Sequence, residues 1–397
     1  MVNRIAGVFA GLAGAVLWIA RRLFGAVAWP FRRWGRAQTR RGWAVRGIIL
    51  LIILILIGLY ANFFWQTQTW TNFNPDYVAA YKLHDRQVTA GEAANATQNA
   101  PAAQSPTAQM SGRQTSTTIQ ESPASQKSCA SSAIATVAAD LIDFNVNQNQ
   151  WISSMILYKL GFFGLDWDST PFFDNKASFQ RGINQAVRRT TVELVDTLGR
   201  VRGTSQVDSD LQSARGNMQF DEYTWYLGWN PPGPKTPTPT YYRSAIKSLR
   251  AFNKRLAACQ VTFDARADNL IQFVDRIAND IGSTSAILKD RAENHHNGWF
   301  DFRADDRFWF AYGQLYGYYG LLAAAQADFD DVIKEKKLTP LWDNMLAQLR
   351  SALKIQPFIV ANGREDGWIV PSHLTTMGFY VLRVRSNLVD IMSVLRQ

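Results

Sequence analysis

Apolar and polar positions divide the chain into three regimes. Between Ile48 and Leu59, eleven of twelve residues are Leu or Ile. At about 0.3–0.6 kcal/mol per side chain, that run favours insertion into a bilayer by roughly 3–7 kcal/mol. Extended over 47–65, it makes a helix about 28 Å long, close to the hydrocarbon thickness, and is expected to span a membrane. Residues 88–128 are rich in Ala, Gln, Ser, Thr and Pro, with no aromatic side chain. Such a stretch buries too little to offset its ordering entropy and is expected to be a flexible tether with an rms reach of roughly 35 Å.

From Cys129 onward the period is helical. Ile134, Val137, Ala138, Leu141 and Ile142 recur at i, i+3, i+4, i+7 and i+8, and Phe179 to Val201 repeats the pattern. After a Pro-rich loop, "NPPGPKTPTPT", Thr240 is expected to cap the helix carrying Tyr242, Ile246, Leu249, Phe252 and Leu256. A long helix follows with Leu270, Phe273, Ile277, Ile281 and Leu288, then one over Asp305 to Lys336. Thr339-Pro340 reads as N-cap and first helical residue of the next, and Ser372 opens the last, with Leu374, Val381, Leu388 and Leu395 on one face. No sustained strand alternation occurs. The expected fold is all-α: residues 1–46 basic and interfacial, 47–65 transmembrane, 66–128 juxtamembrane piece and tether, 129–397 helical bundle.

Charge then orients the span. Nine Arg and no acid precede Asp76, so the N-terminus is expected in the cytoplasm and the bundle outside, in the periplasm of a Gram-negative cell. Arg40, Arg41, Trp43 and Arg46 are expected at the inner interface, against anionic lipid, and Trp65 at the outer one. Residues 5–20, "IAGVFAGLAGAVLWIA", are expected to lie in the inner-leaflet interface, with a second span packed through Gly7 and Gly11 as the alternative. The net charge of +10 is not a nucleic-acid signature, because residues 76–397 hold 33 basic against 32 acidic side chains.

Candidate chemistry is sparse. Cys129 and Cys259, the only cysteines, form no metal-ligand or redox spacing, and in an oxidising compartment they are a candidate disulfide. In "FWFAYGQLYGYYG", Tyr312, Tyr316 and Tyr319 share one helical face and Gly313 and Gly317 another. That arrangement suits either a ligand or partner groove or dense helix packing. "ENHHNGWFDFRADDR" clusters His295, His296, Asp301, Asp305 and Asp306, and reads as a turn with solvated polar groups. Ser372-His373 lacks the G-x-S-x-G context of a nucleophile, and Arg266 is expected to bind a carboxylate of another helix. No metal, cofactor or catalytic residue is expected.

"FDARADNL" (263–270), "IGSTSAIL" (281–288), "DFDDVIKEKK" (328–337), and "IVANG" followed by "SHLTTMGFYVLRVRSNLVDI" occur in this order behind a hydrophobic span. In these segments residues 130–397 resemble a bacterial membrane-protein family of unknown function, number 2333. The resemblance implies a Gram-negative inner-membrane protein with its bulk in the periplasm, and implies no activity. The Arg-rich stretch and the tether lie outside the resemblance. Two functions are expected to compete. One is a non-catalytic module, scaffold or assembly factor, binding another envelope protein or itself. The other is an enzyme or sensor for a cell-wall or lipid fragment, in a pocket lined by Tyr312, Tyr316, Tyr319, Arg266 and His373.

Overall fold

The computed structural model describes residues 40–86, 89–91, 129–161, 166–167, 170, 172–199, 207–229, 231–295, 298, 301–365, 367 and 369–397. The expectations for residues 5–20 and for 92–128 lie outside the described residues. The chain divides into two compact units, one ending at Phe63 and the other beginning at Phe64.

Helix α1 is Arg40–Gln68. Within Trp43–Gln68 an 18-residue window reaches a mean hydropathy of 2.7, and the helix is long and apolar enough to cross a membrane. The Leu and Ile side chains from Ile48 to Leu59 are exposed around the helix except Ile49 and Ile53, which are half-buried, an arrangement hydrocarbon favours and water does not.

The second unit is a helical bundle: α2 Ala133–Asp143, α3 Ile156–Leu160, α4 Asn175–Glu193, α5 Ser209–Met218, α6 Thr238–Ala257, α7 Ala267–Asn294, α8 Ala304–Asp328, α9 Asp330–Glu335, α10 Thr339–Ala352 and α11 His373–Leu395. The strands β1 (Leu227–Trp229) and β2 (Pro232–Pro234) form a small antiparallel hairpin in the Pro-rich loop. Helices α4 and α8 form the central pair, and α7 packs along α11. The α4–α8 crossing is close because Gly sits on both sides of it. A Cβ on Gly182 would come within 2.1 Å of Phe310 O, and one on Gly313 within 2.1 Å of Phe179 O. Missing side chains thus let the two backbones touch. Phe179, Ile183, Ala186 and Val187 fill the seam on either side, all fully buried.

Two buried carboxylates tie helices together. Asp280 on α7 accepts from Gln314 Nε2 (2.6 Å), Tyr318 OH (2.7 Å), Gln185 Nε2 (2.8 Å) and Arg189 Nε (3.3 Å), so one side chain joins α7, α8 and α4. Asp328 closes α8 and caps α2 from outside, accepting from Ser132 Oγ (2.7 Å) and from the backbone N–H groups of Ala133 (2.8 Å) and Ile134 (2.9 Å). It thereby satisfies donors that the start of a helix leaves free. Arg86 completes the site with an ion pair to Asp328 at 3.1 Å.

The helical body begins well before Cys129. Beyond Gln68 the chain lies across α4 and α8: Trp70 stacks on Phe179 (4.8 Å), Phe73 on Tyr316 (5.7 Å) and Tyr77 on Tyr316 (4.4 Å). Tyr77 OH donates to Tyr316 O at 2.8 Å, a contact for which Gly320 makes room. The piece "PDYVAAYKLHDRQ" forms two 3-10 turns, Tyr77–Tyr81 and Leu83–Asp85. Buried Lys176 donates from Nζ to Gln66 O (2.9 Å) and Thr69 O (2.6 Å), satisfying carbonyls at the end of α1. Gly91 N donates to Ala130 O at 2.8 Å, so the described residues on either side of 92–128 meet on the bundle. The juxtamembrane piece 69–86 thus packs as part of the helical body.

Three helix boundaries also differ from expectation. Helix α6 opens at Thr238 rather than after Thr240, because Pro239 occupies its first turn, where a missing N–H costs nothing. The helix expected over Asp305–Lys336 breaks at Phe329, fully buried beside the capping Asp328. Helix α10 takes Leu338 rather than Thr339 as its N-cap.

Substituting Gly182 or Gly313 by Ala is expected to destabilise the bundle by about 3 kcal/mol, since backbone must move to admit the methyl group. Gly216→Ala on α5, where a Cβ meets open space, is expected to stabilise by about 0.5–1 kcal/mol. Chemical denaturation of the three variants checks the contrast; equal effects would contradict a backbone-contact crossing.

Candidate functional site

The expected aromatic slot is filled core. Tyr312 and Tyr316 are 0% and 2% exposed. Tyr312 OH donates to Leu353 O at 2.7 Å, and Tyr316 is covered by Phe73 and Tyr77. Gly313 meets the backbone of Phe179, and a Cβ on Gly317 would lie 2.8 Å from that of Ala186. The glycine face does admit a helix, but that helix is α4 of the same chain. Burial pushes the phenols of Tyr312 and Tyr316 above their ordinary value, so they are neutral packing groups.

Arg266 and His373 do not join a pocket with those tyrosines. Arg266 pairs with Asp264 at 2.6 Å and Asp268 at 3.9 Å, its side chain half exposed. Its partners are thus neighbours in its own segment rather than a carboxylate from a distant helix. His373 lies against Phe308, and its Nδ1 accepts from Ala361 N at 2.9 Å. Burial holds that imidazole below its usual pKa, which keeps it a neutral acceptor pinning the loop before α11. Ser372 caps α11 by accepting from Thr375 N. Cys129 and Cys259 are joined in a disulfide. At the span, Arg40 and Arg41 open α1, Trp43 is 67% and Trp65 68% exposed, and the Arg46 guanidinium lies 5.4 Å from the Trp43 ring centre.

The acidic cluster after α7 is not a solvated turn. Asp301 and Asp305 are 3% and 4% exposed. Asp301 pairs with Arg291 and accepts from Asn362 Nδ2 (2.8 Å); burial works to raise its pKa, but these bonds hold it below the usual carboxylate value. Among the described residues no side chain donates a hydrogen bond to Asp305. Burial first, and then the adjacent Asp306 carboxylate, push it up to about 8.

A cavity of about 550 Å³ opens elsewhere, between the two 3-10 turns and helices α8, α9 and α10. Its floor is apolar, made by Leu83, Ala323, Ala327, Ile333 and Leu346, with Tyr319 at one side. Tyr319 alone of the expected tyrosines lines it. Ion pairs edge the opening: Arg350–Asp76 at 2.5 Å and Lys334–Asp330 at 2.6 Å. Gln326 Nε2 also donates to Asp343 there at 2.8 Å. Among the described residues lining this groove there is no His, Cys or Ser. An apolar trough with polar edges suits the side chains of a peptide segment. Sequence periodicity could not reveal it, since one wall is the piece Asp76–Arg86, read there as a juxtamembrane linker. A second cleft of about 420 Å³ is lined by Arg181, Arg303, Arg307, Glu222 and Asp306, among others. Arg181 donates to Tyr223 OH (2.6 Å) and Ser178 Oγ (3.0 Å), and Glu222 pairs with Arg188 at 3.0 Å.

Among the described residues the chain has a helical bundle and one helix able to cross a membrane. The family described as an uncharacterized protein conserved in bacteria (DUF2333) matches residues 124–297 and 288–397, and the chain belongs to that family. No curated protein and no solved structure matches the chain.

Asp305 yields a pH test. Its folded pKa lies above the unfolded value, so the stability it contributes is present below about pH 4 and lost as pH rises through 8. Asp305→Asn is therefore expected to raise stability relative to the parent by about 1–3 kcal/mol at pH 9 and by little at pH 4. Paired melts at the two pH values check this; a gain confined to pH 4 would contradict it.

Proposed function

We propose that the protein is a non-catalytic, membrane-anchored assembly module, with its bundle in the periplasm and a short segment of another envelope protein held in the 550 Å³ groove. The groove carries this reading: a trough with an apolar floor, edged by the ion pairs Arg350–Asp76 and Lys334–Asp330. Such edges set register and discourage wrong partners while adding little affinity, and the floor supplies the binding energy.

Compartment rests on two observations. Nine Arg precede the first acid, favouring a cytoplasmic N-terminus. The Cys129–Cys259 disulfide suits an oxidising space. The alternative of an enzyme or sensor for a cell-wall or lipid fragment relied on a pocket shared by Tyr312, Tyr316, Tyr319, Arg266 and His373. Of these Tyr319 lines the groove, while the other four are committed to packing, an ion pair and a loop contact.

A photo-crosslinking amino acid at Ala347, exposed on the groove edge, is expected to trap one protein partner in whole cells. Ala347→Trp, which fills the trough, is expected to abolish capture by a crosslinker at Val78 on the opposite wall without lowering the melting temperature. Recovery of lipid alone, or undiminished capture in the Trp variant, would overturn the groove assignment. A phosphatase fused after Gln397 is expected to be active, and an inactive fusion would overturn the compartment.

A further inference from the structure

The last turn of α1, from Phe64 to Gln68, belongs to the bundle unit. It therefore marks which part of the bundle surface a bilayer reaches. The 26 residues of Trp43–Gln68 extend about 39 Å against a hydrocarbon core of about 30 Å. The final turn consequently stands at headgroup depth, and so do the groups bonded to it. Phe64 packs on Phe173 at 4.6 Å and on Trp167 at 6.1 Å. Gln68 Nε2 donates to Phe172 O at 3.0 Å.

Exposed apolar side chains lie near these contacts. The Phe172 ring meets that of Phe358 at 6.2 Å, and Phe358 is 90% exposed. On the other side Trp167 Nε1 donates to Leu157 O of α3 at 2.7 Å, and α3 ends at Leu160, 61% exposed. Trp65 in the same turn of α1 is 68% exposed. Isolated surface hydrophobics need no explanation, but these three adjoin residues already held at headgroup depth. Aromatic side chains are favoured at that depth, and exposed Lys159 beside Leu160 suits lipid phosphate.

We propose that Phe358, Leu160 and Trp65 form a membrane-seating surface, inserted among the phospholipids of the leaflet from which α1 emerges, so that the bundle rests on the bilayer. This is independent of the groove reading: the occupant is phospholipid, and the residues are on a different surface.

The test uses the full-length chain with Phe358→Cys, labelled under non-reducing conditions with the environment-sensitive dye NBD. The labelled protein is reconstituted into phosphatidylethanolamine/phosphatidylglycerol vesicles with or without lipids spin-labelled near the headgroup. Glu335→Cys on α9, also exposed, is the reference site. The label at 358 is expected to emit to the blue of the reference and to lose most of its emission to the spin-labelled lipid, while the reference keeps both. Equal behaviour at the two sites overturns the proposal. So does a blue-shifted label at 358 that spin-labelled lipid does not quench, which would mean that protein covers this surface.

Discussion

Aromatic stacking between the chain leaving the membrane helix and the seam of α4 and α8 is the contact on which the rest of the bundle depends. Trp70 lies on Phe179, and Phe73 and Tyr77 lie on Tyr316. These are faces that would otherwise be open to water. The same strap, residues 69–86, carries Arg86 to the buried Asp328 that caps α2, so strap, central pair and α2 share one set of contacts. Each aromatic pair adds about 0.5–1.5 kcal/mol beyond its buried area. Lys176 fixes the start of the strap by holding two carbonyls at the end of α1, although burial lowers its pKa to about 8.

That construction has a consequence for function. Asp280 and Asp328, both buried, are consumed by hydrogen bonds that join helices. Removing one partner from such a site leaves an uncompensated charge, which is why groups of this kind fix one arrangement of helices. The bundle is thus rigid around its centre, and its open surfaces lie where the strap meets α8, α9 and α10 and where the strap leaves α1. The proposed partner groove is on one of these surfaces, built against a centre whose hydrogen bonds hold the helices in one arrangement.

Much of this was legible in the residues. The Ile48–Leu59 run, the helical period from Ile134 onward and Ser372 as a cap read directly, because each depends on local spacing. Gly313 and Gly317 announced a close helix approach, but spacing alone does not say whether the approaching helix belongs to the same chain, and Gly182 on α4 settled that. The strap was missed for a related reason. Trp70, Phe73 and Tyr77 do stand at i, i+3 and i+7, but Pro75 interrupts any helix through them, and their partners, Phe179 and Tyr316, lie over a hundred residues away. The groove was hidden with them, since one wall is made by the strap. Asp301 and Asp305 were misread because adjacent acids and histidines look solvated until the Arg291–Asp301–Asn362 contacts are seen.

The central claim is that the anchor is continuous with the core through residues 64–91. A specific protease site inserted near residue 110 of the full-length protein, cleaved in native membranes, tests it most directly. The disulfide joins Cys129 to Cys259, so both its ends lie in the C-terminal fragment and it cannot hold the two pieces together. The account predicts that the C-terminal fragment stays with the membranes after cleavage, in buffer that leaves the bundle folded, and leaves them only on denaturation. Release of a folded, soluble fragment on cleavage alone would contradict it.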